Sequence, residues 1–277
     1  MDNLESKVGV VTGAASGIGL GIARAFGAEG MRLVLSDVSE DQLNRAVVDL
    51  RTQGADCIGR LADVRSETEV NALADAAVEA YGHVNVLCNN AGVAVVGRQW
   101  ELGAADWAWA IDTCLWGVIN GIRAFVPRML DSGIACHVVN VASMGGLLAA
   151  PFVGPYACAK HAVVGLTKAL RAELGGTNVG VTLVCPGNVR TNVVRAARVG
   201  RGSGGSDVDG DVGAFVGFLQ TSVEGENSME PEDVGKMVAQ AIKTGQFWLL
   251  PNGESQLPFV EADFNEMRTA SFSSGIE

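Results

Sequence analysis

The stretch that most limits what this chain can fold into lies near its start. Residues 8–12 (VGVVT) form a short apolar run, and the chain then enters Thr12-Gly13-Ala14-Ala15-Ser16-Gly17-Ile18-Gly19 before a helical pattern begins. A strand that ends in a glycine-rich turn and opens a helix is the first part of a parallel βαβ unit. The alternation continues. Residues 32–36, 57–61, 84–88, 137–142, 181–185 and 246–250 read as further strands, short, rich in β-branched side chains and bounded by glycine or polar residues. Amphipathic segments at 40–52, 67–81, 104–130 and 156–174 lie between them. Strands alternating with helices imply parallel pairing through right-handed crossovers. The expected fold is therefore α/β: a single doubly wound, Rossmann-type domain over residues 1–277, with a parallel sheet of about seven strands and helices on both faces.

Composition removes several function classes. With 48% hydrophobic residues in 277, the chain can bury one sizeable core. A net charge of −11 without basic clusters argues against nucleic acid and anionic membranes as partners. Cys57, Cys88, Cys114, Cys136, Cys158 and Cys185 are scattered singly, which suits reduced thiols in a cytoplasmic protein. His83, His137 and His161 show no metal-ligand spacing, so no metal site is expected. The N-terminus lacks a signal-peptide pattern. Residues 138–159 carry no charge, but Asn140, Pro151, Pro155 and several glycines favour a buried strand and a site loop over a membrane helix.

Two regions fall outside the alternation. Residues 200–213 (GRGSGGSDVDGDVG) are glycine- and aspartate-rich, and Phe215, Val216, Phe218 and Leu219 follow. A flexible hinge and a short apolar helix read as a substrate lid over 190–228, the alternative being a surface insertion. The tail at 251–277 reads as irregular.

The glycines of the first turn allow close approach of backbone to a pyrophosphate, and the following helix N-terminus offers free N–H groups. Gly13, Ser16, Gly17, Ile18 and Gly19 are thus candidate cofactor contacts. Asp37 ends the second strand, where a carboxylate accepts hydrogen bonds from ribose hydroxyls and repels a 2′-phosphate. No arginine or lysine stands at Ser16, Val38 or Ser39 to offset that repulsion, so NAD is the expected cofactor. The alternative for Asp37 is a helix N-terminal acid. Asp63-Val64, after the third strand, places a carboxylate by the adenine amino group or caps a helix. Asn89-Asn90-Ala91-Gly92 follows the fourth strand; its amides tie adjacent strands, and Asn90, Ala91 and Gly92 border the cofactor.

Tyr156 and Lys160 are four apart in a segment entered through Pro155, which sets both on one helical face. A lysine ammonium beside a phenol stabilises the phenolate, which makes a general acid and base of the tyrosine. Ser143, just past the fifth strand, is placed to donate a hydrogen bond to a reacting oxygen. Each feature alone is a common surface or turn residue; together, downstream of a dinucleotide turn, they read as a catalytic set.

These motifs resemble the short-chain dehydrogenase/reductase family, in its single-domain branch. TGAASGIG (12–19), Asp63-Val64, NNAG (89–92), Ser143, YACAK (156–160) and Pro186-Gly187 with Thr191 stand in that family's order and spacing. The resemblance implies hydride transfer between a substrate carbon and nicotinamide C4. By the same resemblance Tyr156 exchanges the hydroxyl proton, Lys160 binds the nicotinamide ribose, and Ser143 positions the substrate oxygen. Pro186, Gly187, Val189 and Thr191 would meet the nicotinamide carboxamide. It also implies a homodimer or homotetramer, paired through the long fourth and fifth helices.

One position departs from the family pattern. Cys114, in Thr113-Cys114-Leu115-Trp116-Gly117, stands where the family carries an asparagine that holds a proton-relay water. A second departure is the QFWLLPN stretch at 246–252, which replaces the usual turn after the last strand and puts assembly through that strand in question.

The expected activity is NAD-dependent interconversion of a secondary alcohol and a ketone. A mostly apolar pocket from Ser143, Met144–Leu148, Phe152, Val153, Tyr156, Asn188 and the lid over 192–220 suits an alicyclic, aromatic or steroid-like small molecule, although Arg190, Arg195 or Arg198 could hold a carboxylate. Rival readings are a cis-dihydrodiol dehydrogenase, a 3-oxoacyl thioester reductase and a non-catalytic NAD-binding regulator.

Overall fold

Strand β1 (Val8–Thr12) is buried at every position, as a strand covered on both faces must be. It leads through the glycine-rich turn into helix α1 (Gly17–Ala28), and the unit repeats as β2 (Arg32–Asp37), α2 (Glu40–Thr52), β3 (Cys57–Leu61) and α3 (Glu67–Tyr81). Then come β4 (Val86–Asn89), a short β5 (Val95–Val96), α4 (Ala104–Ile111) and α5 (Gly117–Ser132). The second half holds β6 (Cys136–Val141), α6 (Gly154–Glu173), β7 (Val179–Val184), a short β8 (Arg198–Val199), α7 (Gly210–Glu224), α8 (Pro231–Thr244), β9 (Trp248–Leu249) and α9 (Leu257–Ser273). The computed structural model describes residues 1–199 and 210–273, with Arg198 and residues 271–273 described by backbone alone.

The main sheet has seven parallel strands in the order β3-β2-β1-β4-β6-β7-β9. The order reverses at β1 and β4, so the crevice outside their carboxyl ends is the place where such a sheet binds ligands. Two buried clusters, one on each face, pack helices against it. Helices α1 and α8 meet at glycines: a β-carbon on Gly21 would lie 2.1 Å from Pro231 O, and one on Gly235 2.2 Å from Gly21 O. Among the described residues no helix is long and apolar enough to cross a membrane.

The seven expected strands are present, with ends shifted by a residue or two; the last is trimmed to Trp248–Leu249. Three features differ from expectation. The single long helix expected over 104–130 is α4 and α5 joined by a π-turn, Asp112–Trp116, in which Gly117 N–H bonds to Asp112 O. Periodicity does not register one extra residue in a turn. Strands β5 and β8 pair with each other in a separate two-stranded ribbon, too short to leave a pattern. The tail is helical over Leu257–Ser273, with Pro258 in its first turn, where a missing N–H costs nothing. Phe259, Phe264 and Met267 stay exposed on it, so it has no apolar stripe against the core for periodicity to detect. Residues 200–209 of the glycine- and aspartate-rich run lie outside the described residues. The apolar segment after them forms α7, starting at Gly210.

Candidate active site

A cavity of about 470 Å³ opens where the strands end. Its lining begins with the first turn. Gly13 has φ +64°, and a β-carbon on it would lie 2.8 Å from Ala91 Cα, so the turn presses directly on the chain after β4. Thr12 Oγ1 accepts from Asn90 N and Ala91 N, and the Asn90 amide donates to Thr12 O at 2.9 Å and Gly13 O at 3.2 Å. Gly19 does not line the cavity. A β-carbon there would lie 2.1 Å from Gly13 O, so its role is to let α1 start against the turn. Ser16, at the N-cap of α1, makes no side-chain cap, which leaves the first N–H groups of the helix for an anion. Thr191 closes over this point: its Cγ2 would be 3.2 Å from a β-carbon on Gly17.

At one end of the cavity stands Asp37. Oδ2 accepts from Ala15 N at 3.1 Å and Oδ1 from Ser39 N at 3.1 Å, so the carboxylate is fixed and each oxygen keeps a lone pair. Asp63 is bound differently. Arg65 donates to both of its oxygens, and this partner holds the Asp63 carboxyl below its ordinary range. Ser66, not Asp63, caps α3, its Oγ accepting from Glu69 N. Val64 is held by Asn120, whose amide donates to Val64 O at 2.9 Å, and it packs where only Gly117 leaves room.

The other end is built by β6 and α6. Lys160 is 3% exposed, and Nζ donates to Val141 O at 2.8 Å, which offsets the cost of burying an ammonium. Nζ lies 5.8 Å from the centre of the Tyr156 ring. A β-carbon on Gly145 would lie 3.3 Å from Tyr156 Cε1 and 3.4 Å from Ser143 Oγ, so tyrosine and serine face each other across that glycine. Ser143, Tyr156, Lys160, Pro186, Gly187, Val189 and Thr191 all line the cavity. Pro186 O accepts from Met144 N and Gly187 N donates to Pro251 O, which tie this strand end to β6 and to the chain after β9. Asn89 is structural: it is buried, and its amide donates to Asn140 on the neighbouring strand.

Four expected substrate residues lie elsewhere. Met144 is 2% exposed and packs inward, its sulfur 3.0 Å from where a β-carbon on Gly253 would be. Phe152 has φ +65°, which turns it toward Phe215 of α7, 5.5 Å away, and Arg98. Val153, the N-cap of α6, and Asn188, whose carbonyl is held by Met229 N and the Asn252 amide, also stand off the cavity wall. Asn192, Val193 and Ala196 of the expected lid segment do line the cavity, together with Val93 and Val223. Arg190 pairs with Glu230 and Arg195 with Glu224, and neither lines the cavity. Sequence reasoning also missed Val38, Arg65, Trp109 and Thr113, which line the cavity. The 3.6-residue period was the available signal for the last two, which follow each other by four on the cavity-facing side of one helix and its π-turn.

Cys114 sits on that π-turn. Its thiol donates to Val93 O at 3.2 Å and accepts from Val93 N at 3.3 Å. A β-carbon on Gly92 would lie 3.6 Å from Cys114 Sγ and 3.5 Å from Lys160 Nζ, so the thiol borders the lysine's surroundings.

Comparison with known proteins agrees with this geometry. The family model described as short chain dehydrogenase matches residues 7–201. The chain is 34% identical over 257 residues to 1-deoxy-11-beta-hydroxypentalenate dehydrogenase of Streptomyces exfoliatus, covering 92% of this chain and 86% of that one. A short chain dehydrogenase/reductase from Burkholderia phymatum, solved in complex with NAD, superposes with a TM-score of 0.90 at 39% identity, over 98% of this chain and 97% of that one. Actinorhodin polyketide ketoreductase, solved with NADPH, gives 0.78 at 35% identity, over 91% and 98% of the two chains.

Proposed function

The chain belongs to the short-chain dehydrogenase/reductase family and is an oxidoreductase of alcohols and ketones that binds a nicotinamide cofactor; from that premise we propose that it uses NAD and acts on an apolar secondary alcohol or its ketone. The observation that carries this is one cavity with Asp37 at one end and Ser143, Tyr156 and Lys160 at the other. Neighbouring strands are about 4.8 Å apart, so the ends of β2 and β6, three strands apart, are separated by roughly 14 Å. That separation suits an extended dinucleotide laid across the strand ends. The bound nicotinamide supplies hydride chemistry.

The chain's own residues do the rest. Tyr156 Oη gives its proton to the substrate oxygen in reduction and takes it back in oxidation. Lys160, with Nζ anchored on Val141 O, is held beside the tyrosine and supplies fixed positive charge. Ser143 Oγ accepts from Gly145 N at 3.0 Å, which aims its own hydroxyl hydrogen elsewhere, toward the substrate oxygen. The N-terminus of α1 holds the phosphates, and Thr191, which lies against Gly17, reaches from there toward the nicotinamide carboxamide. Asp37 accepts from the ribose hydroxyls, and its charge disfavours a 2′-phosphate.

The cavity favours an apolar substrate, because Val93, Val193, Ala196 and Val223 line it and Arg190 and Arg195 are engaged with glutamates. A compact alicyclic or aromatic alcohol fits this chemistry. The test is a panel of secondary alcohols with NAD and NADP, followed by absorbance of the reduced cofactor. Turnover with NAD above NADP is expected, and Asp37→Ala should shrink the preference about tenfold or more. An equal or greater rate with NADP in the wild type would remove the NAD assignment.

A further inference from the structure

The cavity wall beside β2 and β3 carries two side chains that the cofactor motifs do not include. Arg65 lies just after Asp63-Val64, and Trp109 lies on α4; both line the cavity. An arginine that is 40% exposed ordinarily samples many rotamers, but this one is fixed on two sides. Its Nε is 2.9 Å from each Asp63 oxygen and its Nη2 2.5 Å from Oδ2, so three charge-assisted bonds hold the guanidinium on the carboxylate. Its central carbon lies 4.8 Å from the centre of the Trp109 ring. The result is an assembly of flat groups on the cavity wall at the chain that follows β3. Val38, 62% exposed, and Val64, buried, line the same cavity.

This arrangement changes the role expected of Asp63. Both of its oxygens already accept from Arg65, so the carboxylate serves the guanidinium first. What the wall offers a ligand is a fixed cationic plane, an indole and two branched apolar side chains. That set matches a purine: flat, π-rich, and poorly solvated on its faces. We propose that Arg65 and Trp109 form the outer wall of the adenine subsite, with the ring held between that wall and Val38 and Val64. The proposal rests on the dinucleotide reading given above. It adds that Asp63 acts through Arg65, as a positioning residue.

Calorimetric titration of the whole protein separates these roles. The ligands are NAD and nicotinamide mononucleotide, which lacks the adenosine half. Arg65→Ala is expected to weaken NAD about three- to thirty-fold while leaving the mononucleotide unchanged, and Asp63→Ala to give a smaller loss of the same kind. Arg65→Lys keeps the charge and loses the plane, so it should lose nearly as much as alanine. Equal weakening of both ligands, or no weakening of NAD, overturns the wall. Full affinity in Arg65→Lys also overturns it, since positive charge without the plane would then suffice. A wild type that binds NADP more tightly corrects the cofactor preference alone, and the same comparison is made with NADP, whose adenine is identical. A wild type that binds neither dinucleotide removes the underlying reading and this one with it.

Discussion

Tyr156 and Lys160 stand one turn apart on α6, but the pair is set by its surroundings as much as by spacing. Val141 O fixes the ammonium, and Gly145 leaves room for the tyrosine beside Ser143. If Tyr156 carries the proton, Tyr156→Phe should lower kcat about 10²–10⁴-fold with cofactor affinity preserved. Stopped-flow and binding titrations measure the two separately, and retained turnover would assign the proton to another group. Cys114 makes a second residue-scale prediction. Its thiol meets both the N–H and the C=O of Val93, which is the two-sided bonding a side-chain amide also offers. Cys114→Asn should therefore change kcat by less than about tenfold. A gain of several orders of magnitude would show that the thiol impairs a proton route. Both positions stood out in the sequence, Tyr156 by its spacing to Lys160 and Cys114 by its departure from the family pattern. The bonds of Cys114 to Val93 were not, because they join the start of one loop to a turn of a helix 21 residues on.

Elements meet here through glycines and through one buried imidazole. Alanine normally stabilises a helix over glycine by about 1 kcal/mol. Gly165, on α6 with nothing within 4 Å, should follow that rule when replaced by alanine. Gly21→Ala and Gly235→Ala should instead lower stability by about 1–3 kcal/mol or more, since backbone of the partner helix occupies the space. Thermal denaturation of the three variants compares them directly, and stabilisation at Gly21 would mean that α1 and α8 can separate freely. The imidazole is His137 on β6. Its Nε2 lies 2.8 Å from Thr182 Oγ1 on β7, and that hydroxyl donates to Gln246 O, so Nε2 carries a hydrogen. Burial pushes its pKa down from 6.5 to about 4. Above pH 6.5 both folded and unfolded chains hold it neutral. As pH falls from there toward 4, the unfolded chain takes up the proton first, and stability declines by about 3 kcal/mol. Urea unfolding at about pH 7 and pH 4 should show that loss in the wild type and less of it in His137→Gln. The same slope in both proteins would clear His137 of the effect. The seven strands of the main sheet were readable from sequence pattern, whereas these crossings were not. Sequence pattern reports which face of an element is apolar, not which backbone it touches.

At the scale of the molecule, α7 is joined to the body by side chains from two other loops. Arg98 pairs with Asp211 at 2.5 Å and lies 5.9 Å from the Phe152 ring, which meets Phe215 edge to face. If this segment is a substrate lid, Phe215→Ala should loosen it. The expected results are faster protease cleavage within residues 210–224 and a KM for alcohol raised roughly two- to ten-fold, with cofactor affinity unchanged. Unaltered KM beside faster cleavage would make α7 a surface insertion. Asp211→Asn should have a smaller effect, because an exposed ion pair contributes about 0–1 kcal/mol.

The sequence alone determined the parallel α/β sheet, the glycine-rich turn that opens the first helix, and the placing of Tyr156 and Lys160 on one face, because each depends on residues near one another in the chain: alternation, glycine spacing, one helical turn. Only the tertiary structure decided which side chains wall the cavity. Met144 and Phe152 stand beside Ser143 and Tyr156 in sequence yet turn away, while Trp109, Arg65 and Val223 arrive from elements far along the chain. Backbone conformation and packing direct a side chain inward or outward, and a left-handed residue such as Phe152 reverses the direction that its neighbours would suggest.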